Sequence, residues 1–101
     1  MDTPQYFFTK LVPSRPSFAL DMTESERAVM QEHVAYWNDL MTRNKVVVFG
    51  PVMDPRGPFG MGVIRVETEE EARSITQGDP AARILAYEIF PMRAVLPAQS
   101  G

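Results

Sequence analysis

Apolar residues change their spacing several times along the chain, and each change marks an element. Tyr6 to Val12 (Tyr-Phe-Phe-Thr-Lys-Leu-Val) joins aromatic and β-branched residues between Pro4 and Pro13, which predicts a first strand. Pro13 to Asp21 holds two prolines and two serines and reads as an irregular loop. So long a connection in a small chain suits a lid or a binding segment. From Thr23 the spacing turns helical. Thr23-Glu24-Ser25-Glu26 matches a capping box, in which hydroxyl and carboxylate each satisfy a free backbone N–H, and a helix to about Arg43 follows. Val29, Met30, His33, Val34, Trp37, Leu40 and Met41 recur at helical spacing as one stripe. Glu24, Arg27, Gln31, Asn38 and Asp39 make the wet side, and Asn44 suits a left-handed exit.

Lys45 to Met53 predicts a second strand, interrupted or bulged at Gly50-Pro51 near its end. Asp54-Pro55-Arg56-Gly57-Pro58 is a dense turn signal, and Phe59 to Glu67 alternates as the returning strand of a hairpin. Thr68-Glu69-Glu70-Glu71 repeats the capping-box pattern with three carboxylates suited to the helix dipole. That helix is short, ends near Gln77-Gly78 and is broken by Asp79-Pro80. Ile84 to Leu96 reads as one last strand, or two short ones joined at Pro91.

The resulting order, β-α-β-β-α-β, is the split βαβ signature of a ferredoxin-like α+β domain: a four-stranded antiparallel sheet with two helices on one face. The other face would carry Phe, Val, Ile and Met side chains. Two such sheets packed face to face would cover them, so the expectation is a homodimer forming an α+β barrel. The chain's 101 residues fit a single domain with its core at about 6–96, and 45% hydrophobic with 23% charged residues is ordinary globular composition. A net charge of −3 argues against nucleic acid as a partner, which needs a basic face. With no Cys there is no disulfide framework, thiolate nucleophile or Cys-based metal site. No apolar run approaches the ~20 residues of a membrane span, and the stretch after Met1 lacks the pattern of an export signal, so a cytoplasmic protein is expected.

The single His draws attention first, because imidazole alone titrates near neutrality without help. His33 has Val29, Met30 and Trp37 one turn away and should face the sheet or its edge. Asp79 is its natural partner: in this strand order the two helices lie side by side, so a residue ending the second approaches the middle of the first. A carboxylate there would hold one imidazole nitrogen and make the other more basic. The structural alternative is a partly buried His satisfied by backbone groups. Gly50 and Pro51 are candidates for a pocket wall that backbone can approach closely, Asp54 is a lesser candidate in a turn, and Arg15 could reach over a pocket to an anionic substrate. Ser14, Ser17 and Ser25 lie in no nucleophile elbow. Gly57-Pro58-Phe59-Gly60-Met61-Gly62 sits within a hairpin and lacks the geometry of a phosphate cradle. No metal site is expected, since Glu69, Glu70 and Glu71 point in different directions. The seven Met read as core filler. No cofactor motif is present, and His33 would be the sole axial ligand were haem bound.

Taken together, Glu32-His33-Val34-Ala35-Tyr36, Phe49-Gly50-Pro51-Val52, Glu70-Glu71-Ala72, Asp79-Pro80 and Tyr87-Glu88-Ile89-Phe90-Pro91 resemble the YCII-related family of dimeric ferredoxin-like barrels. The resemblance runs from about Tyr6 to Leu96. It departs at Asn44-Lys45, where members often have Gly, and at Ala81, where an aromatic often follows the Asp-Pro. The resemblance implies a His33–Asp79 acid–base pair in a cleft. The expected function is then a small-molecule enzyme or enzyme-like protein of isomerase, lyase or hydrolase type. The competing expectation is a non-catalytic dimeric ligand-binding or interaction domain.

Overall fold

Eight residues, Gln5–Val12, form β1, an interior strand of a four-stranded antiparallel sheet. A computed structural model describes residues 3–98. After β1 come a one-turn helix α1 (Phe18–Asp21), the long helix α2 (Glu24–Thr42), the hairpin β2 (Val46–Val52) and β3 (Phe59–Val66), and α3 (Glu69–Gly78). A 3-10 turn (Pro80–Arg83) leads to β4 (Ala86–Met92). Strand order is β2-β3-β1-β4, the ferredoxin-like arrangement, and the sheet is open. No helix among the described residues is long and apolar enough to cross a membrane.

Capping sets the start of α2. Glu26 N–H donates to Thr23 Oγ1 at 3.1 Å, and Thr23 N–H donates to the Glu26 carboxylate at 2.8 Å. Asn44 takes the left-handed exit with φ 62°. At α3 only half of the expected box forms. Glu71 N–H donates to Thr68 Oγ1 at 3.0 Å, but the Glu71 carboxylate accepts from Glu67 N–H and pairs with Lys45.

Three further expectations are corrected. The segment 13–21 is not wholly irregular, because Phe18 is buried and Ser17 Oγ donates to Asp21 at 2.7 Å, which winds α1. The irregularity of β2 falls between Val46 and Val48, whereas Gly50 and Pro51 pair regularly with Met61 and Gly60. Pro51 is tolerated there because β2 is an edge strand. Of the two readings of the last strand the single one holds, with shorter bounds: it spans Ala86–Met92, with Pro91 inside it on the other edge. The helical stripe is also narrower than its periodicity suggests: Trp37 and Leu40 are buried, while Val34 and Met41 are exposed.

Two apolar clusters lie between helices and sheet. The larger joins Phe7, Ile64 and Val66 to Trp37, Leu40 and Ile75; the smaller joins Leu11, Phe18, Ala81 and Leu85. Tyr87 packs against both. Each fully buried large apolar side chain contributes roughly 1.5–3 kcal/mol. Trp37 fits against the sheet only because the residue facing its six-membered ring is Gly62, where a Cβ would stand 2.5 Å from the indole. Gly62→Ala should therefore cost about 1–3 kcal/mol by overpacking, read from urea unfolding by far-UV circular dichroism. A loss below about 0.5 kcal/mol, the scale of a neutral surface change, would show that the indole can move aside.

Candidate functional site

The site begins with the end of α3. At Gly78 a Cβ would stand 2.9 Å from the Tyr36 hydroxyl, which donates to the Ile75 carbonyl at 2.7 Å. Glycine thus lets α3 end close against α2, and Asp79 follows immediately. Its Oδ1 accepts from Ala81 N–H at 2.9 Å and caps the 3-10 turn, with Pro80 in the first position. Its Oδ2 accepts from His33 Nδ1 at 2.7 Å, from Trp37 Nε1 at 2.9 Å, and from the Tyr87 hydroxyl. The side chain is wholly enclosed.

Burial alone pushes the Asp79 carboxyl up, but the hydrogen bonds from His33, Tyr87, Ala81 N–H and Trp37 outweigh it and hold it below the usual 3.8. Burial and the neighbouring carboxylate push the Tyr87 hydroxyl far up, so it remains a donor. A carboxylate is acceptor-only, so the shared hydrogen belongs to His33 Nδ1 and the lone pair of the neutral ring to Nε2. Among the described residues no group bonds Nε2, and no buried side-chain nitrogen or oxygen lacks a partner. Nε2 therefore reaches open space, in keeping with a His33 side chain that is 13% exposed.

That space is a cavity of about 250 Å³ between α1, α2 and one end of the sheet. His33, Trp37 and Tyr87 line it on one side, and Gly50 and Pro51 on another. A Cβ at Gly50 would meet nothing within 4 Å, so glycine there widens the cavity rather than relieving a clash. Arg15 and Asp54 lie outside the lining. The Arg15 guanidinium bonds Asp21 at 2.9 Å and both oxygens of Glu26 at 2.9 and 3.0 Å, tying the segment before α1 to the start of α2. It holds the Glu26 carboxyl down at about 2. Asp54 accepts from Arg56 N–H at 2.9 Å and pairs with the Arg56 guanidinium, as a turn residue does. Among the described residues no three His, Asp or Glu side chains are grouped to hold a metal ion.

Sequence reasoning assigned Trp37 and Tyr87 no part in the site. Trp37 lies four residues after His33 on the same helical face, which is a usable signal. Tyr87 carries none, because only β4 pairing beside β1 brings its hydroxyl to Asp79. Ala81, where the resemblance leads one to look for an aromatic, is buried in the smaller cluster and outside the cavity lining.

These features define an α+β domain of ferredoxin-like topology with a histidine–carboxylate pair at the wall of an apolar cavity. The model of the YCII-related domain matches residues 7–95, and the chain belongs to that family. No curated protein matches the chain.

Asp79→Asn leaves the three donors at Oδ2 facing an amide and should cost about 2–4 kcal/mol at neutral pH. Because the folded carboxyl sits below its ordinary value, its stabilisation is complete above that value and is lost as pH falls through the lowered one. Urea unfolding should show the gap between wild type and variant shrinking below about pH 4. A gap that stays constant on acidification would mean that the carboxylate charge is not the source of the stability.

Proposed function

We propose that the protein is a small-molecule enzyme in which His33 Nε2 removes or delivers a proton next to a carbonyl, with Asp79 as the positioning residue. The observation carrying this reading is the 2.7 Å contact from His33 Nδ1 to an enclosed carboxylate, with the opposite ring nitrogen left open. A base fixed in one tautomer needs no reorientation before proton transfer. As the proton arrives at Nε2, the imidazolium forms beside a charge already in place. Gly50 and Pro51 shape the wall opposite. Isomerisation and elimination share this step, hydrolysis calls on the same base to activate water, and a positioned acid–base group contributes ~10²–10⁴-fold. Exchange of α-hydrogen for deuterium in a neutral cyclic ketone such as tetralone, followed by NMR in heavy water, isolates the step. His33→Ala should slow it by about 100-fold or more. Equal rates in wild type and variant would reject the reading and leave a non-catalytic binding domain.

The working form proposed is a homodimer through the helix-free sheet face. Phe8 and Phe90 are directly opposed there with ring centroids 6.3 Å apart, and Val48 and Met92 on the same face are exposed. Light scattering should give twice the chain mass, and Phe90→Lys should halve it. A wild type that is monomeric at all concentrations would exclude this assembly.

A further inference from the structure

We propose that the cavity selects an uncharged, flat, largely apolar molecule of about ten non-hydrogen atoms that offers a single polar group to His33 Nε2. This names the ligand class of the acid–base site above and rests on that reading for the direction of the polar group. The aromatic side chains of Phe18, Trp37, Phe49 and Tyr87 contribute to the walls, and no Asp, Glu, Lys or Arg lines them. Two other polar groups of the wall, Trp37 Nε1 and the Tyr87 hydroxyl, are both directed to Asp79. One unpartnered ring nitrogen therefore faces an otherwise apolar surface.

Charge decides against an anion. No lysine or arginine lines the cavity to pair with a carboxylate or phosphate, and Arg15 is already bound to Asp21 and Glu26. Such an anion would also approach the buried negative charge of Asp79 across one imidazole ring. A neutral hydroxyl or carbonyl meets neither penalty. Size follows by proportion: an apolar cavity of about 150 Å³ holds benzene, so about 250 Å³ suits a molecule near two fused rings. Pro13, Pro51 and Pro58 at the walls restrict backbone adjustment, and the rings of Trp37 and Phe49, with centroids 5.6 Å apart, offer faces on which a flat molecule can stack.

Naphthol and naphthoate, matched in ring size but one neutral and one anionic at neutral pH, test the claim by isothermal titration calorimetry of the intact protein. Naphthol should bind at least tenfold more tightly. Equal affinity, tighter naphthoate, or no binding of naphthol overturns the proposal. Val34→Lys places a cation on a half-exposed wall position that tolerates it, and should shift the preference at least threefold toward naphthoate. An unchanged preference means that the rings bind elsewhere, which also overturns it. His33→Asn should weaken naphthol binding at least threefold, and an unchanged affinity would show that the hydroxyl does not meet His33 Nε2, which overturns the proposal. Selectivity that survives while ketone exchange is absent rejects the acid–base reading alone.

Discussion

A buried carboxylate is the constraint from which the site is built. Asp79 is 1% exposed, and an ion so placed is tolerable only if donors surround it. Four do: a ring nitrogen and an indole from α2, a hydroxyl from β4, and a backbone amide from the 3-10 turn. The requirement fixes the distance between the helices, the rotamer of Trp37 and the approach of β4 to the carboxylate. It also fixes which imidazole nitrogen faces the cavity. The arrangement is thus the same whether it is described as a solution to burying a charge or as the preparation of a base.

Local chemistry made much of this legible in the sequence. The capping box at Thr23, the left-handed Asn44 and the stop at Asp79-Pro80 are settled within a few residues, so reading them needs no tertiary knowledge. The pairing of His33 with Asp79 is different. It spans 46 residues and became visible only through strand order, which places two helices side by side.

What stayed hidden depends on neighbours the sequence does not announce. Glu71 reaches back to Glu67 because Lys45 pulls on the same carboxylate, so a local box pattern was overridden from another element. Arg15 looked like a free cation over a pocket, yet Asp21 at the end of α1 and Glu26 at the start of α2 claim it. Gly50-Pro51 looked like a bulge, but an edge strand absorbs a missing N–H without one. Tyr87 looked like an ordinary strand residue, and its role exists only across the sheet.

The fit of Trp37 over Gly62 has an optical consequence. The chain has one tryptophan, and its ring nitrogen shares a carboxylate oxygen with the imidazole one helical turn earlier. Indole emission responds to charge placed beside the ring. Ultraviolet light emitted by the unlabelled native protein therefore reports directly on where the proton sits in the cleft.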